Sequence, residues 1–265
     1  MIGAIIGDIV GSRFEFNNIK TKSFYMFTPF CFFTDDTVMT LAVAEAVMNS
    51  YGDYEMLANQ TVNSMQGLGQ RFPHASYGHH FRDWLFSDSP QPYNSFGNGA
   101  AMRVSACGFA ATSLEDARHL AYNVTYVTHN HYEGIKGAEA VASAIFLARS
   151  GRSKEEIRAY IEEHYYQIDF TLDEIRPFYD FDESCQGTVP QALEAFFEAT
   201  DFEDAIRNAI SIGGDSDTLA AITGSVAEAY YGVPEQIRKE ALSYLEPELL
   251  SVLNAFEECF GSKKA

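Results

Sequence analysis

Two segments near opposite ends of the chain carry the same combination of paired carboxylates and threonine at the start of an alanine-rich stretch. One is Phe33-Thr34-Asp35-Asp36-Thr37, and the other is Gly213-Gly214-Asp215-Ser216-Asp217-Thr218. Adjacent carboxylates repel, and burying them is costly unless cations compensate. Asp and Thr are ordinary helix caps, but a cap needs one such side chain and each segment offers at least three. If both tips share a pocket, four carboxylates balance two divalent ions. Hard oxygen donors without cysteine select Mg²⁺, Mn²⁺ or Ca²⁺ over zinc. A shared pocket also requires that residues 35 and 217 meet, so residues 1–265 are expected to fold as a single domain.

The remaining pattern is helical. Asp35–Asn49, Glu133–Ala148, Asp201–Ile210 and Asp217–Tyr230 are apolar and alanine-rich with few breakers. Ser113 with Asp116 begins Leu114–Val124, and Ser153 with Glu156 spells a capping box. Pro190 suits the first turn of a helix over Val189–Glu198, and Pro234 and Pro247 open the last two helices. Ser23–Phe33 is the best strand candidate, although Pro29 weakens it. Residues 67–80, 87–99 and 178–187 read as loops. The expected fold class is all-α, a single compact multi-helix bundle.

Three further motifs could carry chemistry. Gly3, Ala4, Gly7 and Gly11 form one slim helical stripe that allows close packing, with Asp8 inside it as a buried, hydrogen-bonded structural carboxylate. Glu15 follows beside aromatic residues and is a candidate acid/base group. Phe96-Gly97-Asn98-Gly99-Ala100-Ala101-Met102-Arg103 places two glycines before a helix start, where free N–H groups can hold a phosphate. Thr128-His129-Asn130-His131 sets two histidines at i and i+2, which excludes a one-face helical metal pair. Tyr93 and Tyr179 are candidates to stack on a base.

The net charge of −19, from 18 Lys+Arg against 37 Asp+Glu, argues against sequence-independent nucleic-acid binding or attraction to anionic membranes. Cys31, Cys107, Cys185 and Cys259 are far apart, so buried free thiols are expected rather than a zinc ribbon or disulfide framework. The N-terminus lacks a basic segment, and Asp8 interrupts its apolar run, so it does not resemble a signal peptide. The apolar stretch 140–148 is too short to span a bilayer. The expected location is the cytoplasm.

Taken together, the motifs resemble the ADP-ribosylglycohydrolase family over roughly residues 3–232. Gly7-Asp8-Ile9-Val10-Gly11, Thr34 to Thr37, Gly97 to Arg103, Thr128 to His131 and Gly213 to Thr218 appear in the family's order, with Glu15 at its glutamate. Tyr132 stands where many members carry proline. The resemblance implies an orthogonal all-α bundle with a dimagnesium centre that removes ADP-ribosyl groups from acceptors. Carried onto this chain, the metal ligands are Thr34, Asp35, Asp36, Asp215, Asp217 and Thr218. Glu15 lies near the reacting ribose, and Asn98, Gly99 and His129 face the ADP-ribose. Catalysis would rest on Glu15, Asp35, Asp36 and Asp217, with Mn²⁺ a possible substitute for Mg²⁺. The acceptor class, whether a protein side chain, a nucleic-acid base or a small molecule, is left open.

Two other metal-dependent folds fail on their own motifs. A terpenoid-synthase D-D-x-x-D is broken by Met39, and a haloacid-dehalogenase start at Asp215 has too little chain after it for an α/β domain. The alternative function is a catalytically silent ADP-ribose-binding or metal-stabilised interaction module.

Overall fold

The small-residue stripe on the first helix sets the centre of the molecule. In the computed structural model, which describes residues 1–50 and 52–261, the chain forms α1 (Ile2–Gly11), α2 (Asp35–Asn49), α3 (Tyr54–Arg71), α4 (His79–Leu85), α5 (Gly99–Met102), α6 (Ser105–Ala110), α7 (Leu114–Tyr126) and α8 (Tyr132–Arg149). It continues as α9 (Lys154–His164), α10 (Leu172–Ile175), α11 (Cys185–Glu198), α12 (Phe202–Ser211), α13 (Ser216–Tyr231), α14 (Glu235–Leu242) and α15 (Pro247–Phe260). A Cβ on Gly7 would lie 2.0 Å from the Ala220 carbonyl oxygen, and one on Gly3 would lie 2.2 Å from that of Gly224. Only glycine permits this approach of α1 to α13. All of α1, and α13 from Ser216 to Ala227, is buried.

The described helices pack on one continuous apolar cluster, and no strand forms among the described residues. The architecture is an all-α multi-helix bundle. The expected unit ended at residue 265; residues 262–265 lie outside the described residues. No described helix is long and apolar enough to cross a membrane. Cys31, Cys107 and Cys185 are buried free thiols, as expected, while Cys259 is exposed.

Several local expectations need correction. The aromatic run 23–33 is an irregular loop, because side chains rather than a partner strand satisfy its carbonyls. Arg207 donates to the oxygens of Lys22 and Phe24 (both 2.8 Å), and Tyr244 donates to that of Thr28 (3.1 Å). Part of the expected loop 67–80 is helical, since α3 runs to Arg71. Gly69 allows Leu85 of α4 to pack closely on it. α11 begins at Cys185, capped by Ser184, so Pro190 sits well inside it rather than in its first turn. The capping box at Ser153 and Glu156 forms as read.

Candidate functional site

Asp8 is the floor on which the first acidic tip stands. Its fully buried carboxylate accepts the N–H of Thr34 (2.9 Å) and of Thr37 (3.0 Å), together with both threonine hydroxyls. A helix start leaves its first N–H groups unpaired, and here a carboxylate from α1 takes part of that set. Thr34 also caps α2 by accepting from the N–H of Asp36. Burial raises the Asp8 pKa to about 6 against the pull of its donors.

The second tip is clasped from outside α13. Gly213 and Gly214 adopt φ of +72° and +73°, the left-handed region that favours glycine. Asn18 accepts the N–H of Gly214 (2.7 Å) and donates to its oxygen (2.8 Å). Lys20 donates to the oxygens of Ile212 (2.5 Å) and Tyr179 (2.6 Å). The Tyr179 ring lies against Gly214, and its hydroxyl donates to the Gly187 oxygen (2.8 Å). Tyr179 therefore holds this turn in place. Asn18 and Lys20 escaped sequence reasoning, since nothing local connects them to residues almost two hundred positions away.

The two tips meet. The Thr218 hydroxyl of α13 donates to Asp36 Oδ2 of α2 (3.2 Å). Glu15, Asp215 and Asp217 bring carboxylate oxygens within 4.8 Å of one another. Asp35 lies beside them, half-buried. Burial, then the neighbouring carboxylates, hold Asp35, Asp36 and Asp217 well above the usual carboxylate range. The same causes raise Glu15 to about 7. None of these acids has a Lys or Arg ion-pair partner among the described residues. Asp36 Oδ1 and Asp217 Oδ1 are buried with no hydrogen-bond partner. A buried carboxylate oxygen without a donor is strongly unfavourable. Opposed all-oxygen donors of this kind fit hard divalent cations.

The opposite wall is built from the glycine and histidine motifs. Asn98 spends both amide hydrogens within the protein, on Asp215 Oδ2 (2.7 Å) and Thr188 Oγ1 (3.1 Å). The expected phosphate cradle of free N–H groups is largely closed. Those of Gly97, Asn98, Ala100, Ala101 and Met102 are paired nearby, that of Gly99 has no partner among the described residues, and α5 spans only Gly99–Met102. His129 is buried, with Nε2 against the backbone of Gly97 and Gly99. His131 caps α8 by accepting from the N–H of Glu133 (3.1 Å), so the two histidines have separate jobs. Tyr93 packs against the His129 ring, 5.9 Å between centroids. Beneath lies Arg103, 1% exposed and bonded to Thr128. Sequence reasoning gave Arg103 no role, although it closes a motif singled out above.

The site is thus a pool of carboxylates on two helix starts of an all-α bundle, with no cationic side chain pairing them among the described residues. Residues 1–263 match the family described as ADP-ribosylglycohydrolase, and the chain belongs to that family. It is 25% identical to human "ADP-ribosylhydrolase ARH3", covering 95% of this chain and 90% of that one. It is 29% identical to "ADP-ribosylarginine hydrolase Tri1" of Pseudomonas putida (strain GB-1), covering 92% and 73%. A solved "ADP-ribosylglycohydrolase-related protein complex" superposes with a TM-score of 0.68 at 23% identity, covering 97% of this chain and 95% of that one. The fold is thus the multi-helix bundle of the ADP-ribosylglycohydrolase type.

Proposed function

We propose that the protein is an ADP-ribosyl hydrolase that uses two Mg²⁺ ions, with Mn²⁺ able to replace them, to cleave the glycosidic bond between ADP-ribose and an acceptor. The observation that carries this reading is the pair of buried, partnerless oxygens, Asp36 Oδ1 and Asp217 Oδ1, on two helix tips joined through Thr218. The named activities of the relatives support it. Thr34, Asp35, Asp36, Asp215, Asp217 and Thr218 would hold the ions. Bound there, the ions would lower the pKa of water and orient the ribose hydroxyls.

The chain's own residues supply the rest. Glycosidic cleavage passes through an oxocarbenium-like state, and the carboxylate cluster favours positive charge on the ribose beside it. Glu15, half-exposed next to Asp217, would orient the attacking water and take up its proton. Asn98 keeps Asp215 aimed, while the Gly99 N–H and His129 Nε2 face the ADP-ribose. The acceptor is a protein side chain, a nucleic-acid base or a small molecule. The single unit works in the cytoplasm, without membrane association or sequence-independent nucleic-acid binding.

The test is a panel of defined ADP-ribose linkages (arginine, serine, nucleic-acid base and small-molecule conjugates) assayed with and without EDTA. Release of ADP-ribose that EDTA abolishes and Mg²⁺ restores is expected, and Asp36→Ala and Asp215→Ala should lose both metal and activity while keeping helical content. Release that persists in EDTA would remove the metal assignment. Binding of ADP-ribose without release from any linkage would favour the silent module.

A further inference from the structure

Arg103 is the largest side chain in the fully buried interior, and no carboxylate lies within ion-pair distance of it among the described residues. Burial pulls its pKa down to about 10, so it stays charged at neutral pH. Its Nη2 donates to Thr128 Oγ1 (2.6 Å) and lies 3.3 Å from His129 Nδ1. Thr128 Oγ1 is in turn 2.7 Å from His129 Nδ1.

These contacts fix where the imidazole proton sits. A guanidinium only donates. Thr128 Oγ1 therefore accepts from Arg103, and its own hydrogen is free to point at His129 Nδ1. Were Nδ1 protonated, it would donate to Thr128 Oγ1, and the Thr128 hydrogen would then have no acceptor among the described residues. With Nδ1 as a bare acceptor, the Thr128 hydrogen and the Arg103 Nη2–H groups that face the ring all find an acceptor, and Arg103 Nε is the donor left over. The proton then belongs on Nε2.

Nε2 has no hydrogen-bond partner among the described residues, although the ring is 5% exposed. It lies where a Cβ on Gly99 would be 3.3 Å away and one on Gly97 3.6 Å. Neither glycine has a positive φ. Backbone conformation does not demand glycine at either position, but clearance in front of Nε2 does. We propose that Arg103 and Thr128 are positioning residues that lock His129 as a permanent Nε2–H donor aimed at an oxygen of the ADP-ribosyl group. The inference deepens the hydrolase reading and takes the ligand from it.

The groups facing this unit reinforce it. Around His129 and Arg103 stand Tyr93, His80 behind Tyr93, the neutral thiols of Cys107 and Cys185, and Asp35, which acts on Arg103. Burial and the Arg103 charge both oppose protonation of the ring. His129 is therefore a fixed donor with a positive charge behind it. It is not a proton shuttle.

Imidazole nitrogen NMR of the full chain labelled with ¹⁵N-histidine tests this, with His129→Gln assigning the signal among the seven histidines. The expected wild-type spectrum shows protonated Nε2 and bare Nδ1, unchanged between about pH 6 and 8. Thr128→Val should mix the tautomers and weaken ADP-ribose binding on the order of tenfold, the loss of one oriented hydrogen bond. Thr128→Ser, which keeps the hydroxyl, should restore both. Arg103→Met should act like Thr128→Val where circular dichroism shows native helicity, and Thr128→Val decides the matter otherwise. A protonated Nδ1 in the wild type, or an unchanged tautomer in Thr128→Val, overturns the lock. A changed tautomer with unchanged ADP-ribose affinity overturns the positioning role. A correct spectrum and correct affinities without hydrolysis of any linkage would defeat the hydrolase reading and leave the lock standing.

Discussion

The two walls of the site are electrostatic opposites. On one, Glu15, Asp35, Asp36, Asp215 and Asp217 crowd together without a cationic side chain to pair them. On the other, Arg103 is buried without a carboxylate and backs a neutral histidine. Asn98 joins the walls, its amide on Asp215 and its backbone N–H on the Glu183 oxygen (2.7 Å). Ordinary folding would place Arg103 beside one of those acids and neutralise both. Keeping them apart costs stability. It leaves each wall ready for a ligand group of opposite charge, cations on one side and an oxygen-rich anion on the other.

The sharpest way to break this comparison is to neutralise the acidic wall one oxygen at a time. Asp217→Asn and Asp36→Asn should each lower ADP-ribosyl hydrolysis by on the order of 10²–10³ or more, comparable to losing a preorganised electrostatic group. Without metal, the same variants should be more stable than wild type, because each removes a charge from a crowded, unpaired set. An increase in Tm of about 2–4 °C is expected. The further increase that Mg²⁺ gives the wild type should vanish. A lower metal-free Tm, or a retained Mg²⁺ shift, would show that these carboxylates are already satisfied.

How much of this was legible in the sequence divides along the same line. The acidic wall announced itself, because two carboxylates and threonine at a helix start exceed what capping needs. Ser113, Ser153 and Thr34 cap the helices they precede. On the opposite wall the glycine and histidine motifs were legible, but the charge behind them stayed hidden, because a lone Arg103 carries no periodic signature and its partner lies 25 residues away. α3 was masked for a different reason. Leu57, Thr61, Met65 and Leu68 are a buried helical stripe behind the Asp53 cap, but Gly67 and Gly69 imitate a loop until Leu85 is seen packed on Gly69.

A milder perturbation of the acidic wall is pH. Asp8 is raised from 3.8 to about 6 and Glu15 from 4.5 to about 7, burial being the first cause in both. Acids raised in this way bind more protons folded than unfolded between those values, so stability falls as pH rises through the window. The metal-free protein should lose Tm between about pH 4.5 and 7, by a few degrees. Saturating Mg²⁺ should flatten that slope, since a bound cation replaces the proton. Thermal melts at several pH values, in EDTA and in Mg²⁺, check it. A slope of the opposite sign in EDTA would mean that the cluster is paired within the protein.

The smallest effect expected is the most discriminating for the opposite wall. A methyl at Gly99 would stand 3.3 Å from His129 Nε2 and 3.6 Å from Cε1, whereas one at Gly97 would stand 3.6 Å from Nε2 and meet Ser95 Oγ first, at 3.3 Å. Gly99→Ala should therefore crowd the N–H and weaken ADP-ribose binding several-fold, up to about tenfold, with Gly97→Ala weaker in effect. Neither residue has a positive φ, so alanine adds no backbone strain and restricts the unfolded chain, which at compatible sites stabilises by about 0.4–1 kcal/mol. Affinity should fall while Tm holds or rises and the Mg²⁺-induced shift stays intact. Calorimetric titration with ADP-ribose beside melts with and without Mg²⁺ separates the outcomes. If affinity, Tm and the Mg²⁺ shift all fell together in Gly99→Ala, the glycine would be a packing requirement of α5, and the clearance in front of His129 would have no part in recognition.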